Sequence, residues 1–198
     1  MKSRICIICE GYEEKEYFDR LVELNVFSNI YNFITVNVKS INNIFRRYQE
    51  KYQSNSYHLV LIFCDTDKIS KSKYIELKDK INKFHGNIVS DKIIMFGNPS
   101  TMQIFLSHFK DIKLKSQSKH VNANYIDELL DIKKYDAKDA QRKEFFIKIK
   151  RNNYSLMKEN IKKLSNNDED VSSTNFLEFI EKFESDDVSW INTINQIL

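Results

Sequence analysis

The sequence predicts an α/β protein, in which a four-stranded parallel sheet flanked by helices is followed by a C-terminal helical appendage. Short apolar runs rich in β-branched residues are bounded by polar ones, which is typical of strands covered on both faces. Segments with apolar residues at helical spacing separate these runs. After Asp111 only the helical pattern continues. We therefore expect an α/β domain over residues 1–110 and a helical extension over residues 111–198.

The first half of the chain alternates strand and helix patterns. The predicted strands cover residues 4–9, 33–38, 58–64 and 92–96. The predicted helices cover residues 14–24, 41–52, 74–84 and about 101–109. Ser40 precedes the second helix in the position of an N-cap. Four such units joined by right-handed crossovers would form three layers.

The second half lacks strand patterns and shows no repeat of 20 to 50 residues, which argues against a solenoid. Residues 113–124 are polar and rich in lysine, so we expect a surface loop or linker. Helices are predicted over residues 125–132, 137–150, 154–164, 174–183 and 188–198.

Composition limits the classes of function. The chain of 198 residues carries 31 basic and 28 acidic residues, a net charge of +3, so nucleic acid would have to be bound by local patches. The three cysteines lie within predicted strands, as buried thiols in a reducing compartment would. The start of the sequence has no basic region with a long apolar stretch, and nowhere do ~18 apolar residues run together. We expect a cytoplasmic protein without a membrane segment.

Carboxylates follow two of the predicted strands. Glu10 follows the first strand, and Asp65 and Asp67 follow the third. If these strands are neighbours, the three side chains converge at the carboxyl edge of the sheet, where open α/β sheets bind ligands. Carboxylates that close raise one another's pKa unless a cation neutralises them. A hard divalent metal is the natural partner.

Three motifs in order resemble the Toprim domain of RloB-like proteins. The first is Glu10-Gly11 with Glu14 three residues past the glycine, followed by Tyr17-Phe18. The second is Asp65-Thr66-Asp67 after the third strand. The third is Asn98-Pro99, which leads into an apolar helix ending in His108-Phe109. The resemblance covers about residues 4–110.

This resemblance implies a Toprim (OLD-type) nuclease that cleaves phosphodiesters in bacterial anti-phage defence, with an ABC-type ATPase as partner subunit. Mg²⁺, or alternatively Mn²⁺, would be held by Glu10, Asp65 and Asp67, and two or three carboxylates plus phosphate suit such an ion. Glu14 would be a ligand of a second metal or a base. The substrate is DNA or RNA, and the oligomeric state stays open, with a homo-oligomer included.

The nucleic acid would contact Gly11, Lys68 and Lys71, since glycine lets the backbone approach a phosphate closely. The lysines could equally solvate a loop, as charge runs usually do. Glu13 and Glu16 are interpreted as acidic residues in a first helical turn. For Glu14 a structural and a functional role are equally supported.

The chain departs from the family pattern at two positions. Glu13 replaces a threonine, and Met102 stands where the family has an acidic residue, with Gln103 beside it. A second hypothesis is therefore a catalytically weakened Toprim scaffold or binding subunit. A third, ranked last, is a receiver-like or phosphohydrolase domain, which would have a lysine after a fifth strand.

For the histidines and for the basic residues on predicted helices, the sequence favours structural roles. His108 lies among apolar residues and is interpreted as a core histidine, and the remaining histidines show no zinc-ligand spacing. Basic residues near Phe145 and Phe146 suit an amphipathic helix better than a nucleic-acid surface. Arg46 and Arg47 on the second helix have the same ambiguity.

Overall fold

The computed structural model describes residues 2–66, 71–116 and 118–198, and its secondary structure is α/β. The strands are β1 (Ser3–Cys9), β2 (Tyr31–Asn37), β3 (Leu59–Asp65), β4 (Ile94–Asn98) and β5 (Ser173–Thr174). The first five helices are α1 (Tyr12–Glu23), α2 (Ile41–Gln53), α3 (Lys71–His85), α4 (Ser90–Ile93) and α5 (Met102–Leu106). The last five are α6 (Lys119–Leu130), α7 (Asp139–Lys148), α8 (Arg151–Ile161), α9 (Phe176–Glu184) and α10 (Ser189–Asn195).

The strands form one sheet in the order β2-β1-β3-β4-β5. The first four are parallel, as predicted, and β1 lies between β2 and β3. Cys9 at the end of β1 is opposite Phe63 of β3 on one side and Asn37 of β2 on the other. The condition for the convergence of Glu10 and Asp65, that the first and third strands are neighbours, is therefore met.

A fifth strand was not predicted. β5 pairs antiparallel with β4, and Gly97 and Asn98 are opposite Thr174 and Ser173. Asn175 extends this edge, because its side chain accepts from Phe96 N at 3.0 Å and donates to Ile94 O at 2.7 Å. A two-residue strand has no periodicity of its own, and the sequence pattern assigned Thr174 to a helix. The expected four-stranded sheet is thus corrected to five strands.

The inner strands are apolar and buried because helices cover both faces of the sheet. Every residue from Ile5 to Cys9 is fully buried. The cysteines are buried and form no disulfide, in agreement with the sequence prediction. Ser40 caps α2 by accepting a hydrogen bond from Asn42 N at 3.3 Å.

The C-terminal helices share one hydrophobic cluster with the sheet. Tyr17 of α1 packs against Phe105 of α5, Phe146 of α7 and Phe176 of α9, with ring centroids 4.4, 6.1 and 5.9 Å apart. The cluster runs from Ile5 to Ile194. The C-terminal helices therefore help to position α1, which carries candidate site residues at its start.

Across the ranges that the structure describes, every helix is too short or too polar to span a bilayer.

Candidate functional site

Glu10 and Asp65 lie together at the carboxyl edge of the sheet. Glu10 directly follows β1, and its backbone N donates to Phe63 O of β3 at 3.0 Å. Its side-chain Oε2 accepts from the backbone N of Asp65, the last residue of β3, at 3.2 Å. Both side chains are partly buried. The parallel register of β1 and β3 thus brings the two predicted residues into direct contact.

Glu14 joins them from the first turn of α1. It is buried, with 6% of its surface exposed. Its Oε2 accepts from Gly11 N at 2.8 Å, and its Oε1 accepts from the Thr101 hydroxyl at 2.7 Å. Thr101 also donates its backbone N to Asp65 Oδ1 at 2.6 Å. We call Glu10, Glu14 and Asp65 the acidic cluster, and Thr101 bridges two of its members.

Burial and mutual repulsion shift the titration of the acidic cluster. Burial raises the pKa of Asp65 well above its ordinary value, and the charges of Glu14 and Glu10 raise it further, against hydrogen bonds from Thr101. Burial also raises the pKa of Glu14, while hydrogen bonds from Thr101 and Gly11 oppose the shift. Clusters of carboxylates with raised pKa values are typical of sites that bind cations or transfer protons.

Thr101 is a site residue that the sequence analysis missed. It lies just past β4, where Gly97 lets the turn fold back onto the strand. A Cβ at Gly97 would lie 2.6 Å from Thr101 Cα and 2.7 Å from Ser100 O. The only sequence signal was the Gly-Asn-Pro punctuation of residues 97–99, which marks a turn but not the side chain that the turn presents.

Gly11 precedes α1 at the mouth of the cluster. Its backbone is extended, with φ −130° and ψ −172°, so its conformation does not demand glycine. A Cβ there would lie 3.0 Å from Glu14 Oε2, at the tip of a side chain that bonds to Gly11 N. The glycine therefore leaves room for the buried carboxylate.

Asp67 and Lys68, two of the predicted residues, come between β3 and α3 in the chain and lie outside the described residues. Lys71 at the start of α3 pairs with Glu169 at 2.8 Å, and both side chains are exposed. Beside this pair, the Asn98 side chain donates to the backbone carbonyls of Asp168 and Asp170. Lys71 is thus placed next to the acidic segment of residues 168–170.

The chemistry of the acidic cluster suits a metal ion, but the arrangement of its described residues does not complete a metal site. Its carboxylate oxygens are the ligands that Mg²⁺ prefers, and a cation would relieve the repulsion that raises the pKa of Asp65. Within residues 2–66, 71–116 and 118–198, however, no three His, Cys, Asp or Glu side chains are arranged as ligands of one ion. A metal site here would draw on Asp67 as well.

Two further acidic residues of α1 contact the C-terminal helices. Glu13 accepts from the Tyr135 hydroxyl at 2.8 Å, and Glu16 accepts from the Arg142 guanidinium at 3.0 Å. Arg142 also stacks over the Tyr12 ring, 4.9 Å from its centroid. Glu13 and Glu16 thus join α1 to the C-terminal helices. This is a structural role, as the sequence indicated, and the structure identifies Tyr135 and Arg142 as the partners.

Met102, at the position where the resemblance would place an acidic residue, is a core residue. Met102 is buried, and the neighbouring Gln103 donates to Ile112 O and accepts from Leu114 N. Gln103 therefore fixes the segment after α5. His108 is also buried, and its Nε2 lies 2.9 Å from the Tyr17 hydroxyl, which confirms the prediction of a core histidine.

Comparison of the chain with models of protein families, with curated proteins and with solved structures gave no significant match.

Proposed function

We propose that this protein is a Mg²⁺-dependent nuclease of Toprim type, which cleaves phosphodiesters of DNA or RNA as the effector of a bacterial anti-phage system with an ABC-type ATPase partner. The acidic cluster at the carboxyl edge of the sheet carries the proposal. Glu10 and Asp65 are in contact there, and Glu14 joins them through Thr101. The Toprim type is proposed because the motifs Glu-Gly, Asp-x-Asp and Asn-Pro occur in this order along the chain.

The roles of the residues follow from their surroundings. Glu10, Asp65 and Asp67 would hold the ion, which when bound orients an attacking water and stabilises charge on the leaving oxygen. Glu14 is fixed by two hydrogen bonds and has a raised pKa, so it takes up a proton more readily than an exposed glutamate. Thr101 holds Glu14 and Asp65 in their relative positions. Gly11 would let the backbone approach a phosphate closely.

The experiment compares wild type with Asp65→Asn/Asp67→Asn, which removes two charges at nearly constant volume. Both are produced from the native locus with its neighbouring genes and assayed for phage protection, and for cleavage of labelled DNA and RNA with Mg²⁺, Mn²⁺ or EDTA. We expect the variant to lose protection, with cleavage falling at least about 100-fold, since even outer-shell partners of a metal are worth about 10–100-fold.

A matched control removes two carboxylates from the exposed surface of α3, as Glu76→Gln/Asp79→Asn. This variant should protect and cleave like wild type. Equal activity of the site variant and the control would contradict the nuclease proposal.

A second candidate function is a scaffold or binding subunit with a weakened site. The buried Met102 supports it, because α5 presents no carboxylate to the acidic cluster. In that case the Asp65→Asn/Asp67→Asn variant would protect cells as well as wild type does. Receiver-like chemistry has less support, since β5 is antiparallel and is followed by Asn175 and Phe176 instead of a lysine.

A further inference from the structure

A basic cavity lies beside the acidic cluster, at the carboxyl end of β2. It has a volume of about 270 Å³. Its lining residues are Asn37, Val38, Lys39, Asn43, Arg46, Arg47 and Glu50. Three cations against one carboxylate give this lining an excess of positive charge. We call it the β2 pocket.

The register of the sheet places the β2 pocket next to the acidic cluster. Asn37 is opposite Cys9 of β1, and Val38 N donates to Cys9 O at 3.0 Å. The next residue of the chain after Cys9 is Glu10. Because neighbouring strands are about 4.8 Å apart, the pocket and the cluster lie at adjacent strand ends on the same edge of the sheet.

The charged groups of the β2 pocket are available to a ligand. The Arg46 side chain is 88% exposed, although its Nε lies 3.1 Å from Glu50, which also pairs with Arg47 at 2.8 Å. Lys39 is exposed and, among the described residues, its ammonium group forms no ion pair. The backbone holds Lys39 in the left-handed region, with φ +66°, and its N donates to Asn37 Oδ1.

A buried donor also lines the pocket. The Asn37 Nδ2 atom is buried and has no hydrogen-bond partner within the described part of the chain. A buried amide without an acceptor costs free energy, so an acceptor supplied by a ligand would relieve that cost. Phosphate oxygens are such acceptors, and they also match the lysine and arginine charges.

We infer that the β2 pocket binds a backbone phosphate of a single-stranded nucleic acid and so aligns the strand with the acidic cluster. This inference rests on the proposed function, because it makes the pocket a subsite for the nuclease substrate. A strand that crosses the sheet edge would place one phosphate among Lys39, Arg46 and Arg47, and a neighbouring phosphodiester at the acidic cluster. Contacts of this kind recognise the charge of the backbone phosphates and do not depend on the base sequence.

The test measures binding without cleavage, so its failure is distinguishable from failure of the nuclease proposal. Fluorescence anisotropy follows 20-nucleotide single-stranded DNA and RNA of one sequence, in EDTA and over a salt series from about 50 to 200 mM, where the Debye length is about 10 Å. The pocket variant is Lys39→Gln/Arg46→Gln, which leaves the Arg47 pair with Glu50 in place. The matched control is Arg4→Gln/Lys51→Gln, which removes two cations that stack on Tyr57 at the other end of β1.

We expect the pocket variant to bind at least one of the two oligonucleotides several-fold more weakly than wild type. Its slope of log K against log salt should fall by about 1.4, because two phosphate contacts are lost at about 0.7 each. The control should stay within about twofold of wild type, since exposed charges distant from the strand contribute little to its binding.

The inference would be overturned by equal weakening in the two variants, by an unchanged salt slope in the pocket variant, or by the absence of binding of either oligonucleotide by wild type. Competition by AMP as effective as competition by unlabelled oligonucleotide would also overturn it, since the pocket would then be a mononucleotide site. If the pocket variant binds normally while Asp65→Asn/Asp67→Asn abolishes cleavage, the nuclease proposal stands without this subsite.

Discussion

Thr101 is the residue on which the geometry of the acidic cluster depends most. Its hydroxyl donates a hydrogen bond to Glu14 and its backbone N donates one to Asp65, so one residue orients two carboxylates that repel each other. The residue is 2% exposed, which leaves water little room to replace the hydroxyl. The sequence showed both carboxylates but gave no sign of this donor, because a threonine after a turn is common.

Replacing Thr101 by valine should destabilise the protein by about 3 kcal/mol, since it leaves a buried carboxylate oxygen without its donor at nearly constant volume, and such a loss costs most for a group that can carry charge. Thr101→Ser keeps the hydroxyl and loses one methyl, at a cost of about 1 kcal/mol. Urea unfolding at pH 7 measures both variants. A valine variant as stable as the serine variant would show that the bond from Thr101 to Glu14 contributes nothing measurable.

At the scale of the elements, the turn after β4 matters most, because it places Thr101 against Glu14 and Asp65. The parallel strands, their helices and the meeting of Glu10 with Asp65 were predictable, because each depends on apolar periodicity and on strand order. β5 and the Asn175 contacts were not, since they depend on a segment about 75 residues farther along the chain. The contact of Glu14 with Thr101 likewise spans 87 positions, which no local pattern encodes.

Gly97→Ala tests the close approach of this turn to β4. The added Cβ would meet backbone atoms of Thr101 and Ser100, which cannot rotate away, so we expect a loss of about 3 kcal/mol. Gly86→Ala is the matched control, because φ is +70° there but no atom lies within 4 Å of the added Cβ, and about 1 kcal/mol of backbone strain is expected. Thermal unfolding compares the two variants, and equal losses would contradict the steric argument at Gly97.

Across the whole molecule, the response of stability to pH combines two opposing contributions. Burial lowers the pKa of His108 from 6.5 to about 3, partly offset by the Asn153 backbone, so the unfolded chain binds its proton first as the pH falls. The stability that the neutral ring contributes is present above pH 6.5 and is lost between pH 6.5 and about 3. Glu14 and Asp65 have raised pKa values in the folded protein, so the folded state binds their protons before the unfolded chain does. Protonation of these two residues therefore stabilises the fold as the pH falls through the raised values.

His108→Gln should separate these contributions, because the glutamine amide can still bond to the Tyr17 hydroxyl but does not titrate. We expect the free energy of unfolding of wild type to fall more steeply than that of the variant between pH 6.5 and 4. The difference in slope should approach about 1.4 kcal/mol per pH unit, the value for one proton. Parallel curves would show that His108 is not held neutral by the fold.

Binding of Mn²⁺ followed by electron paramagnetic resonance tests most directly the proposal that Glu10, Asp65 and Asp67 bind a divalent metal. Free manganese gives a sharp signal that is lost on binding, so titration of the protein counts bound ions without any substrate or partner. We expect wild type and the Glu76→Gln/Asp79→Asn control to bind one or two ions, and Asp65→Asn/Asp67→Asn to leave the added manganese free. Equal binding by all three proteins, or none by wild type, would contradict the account.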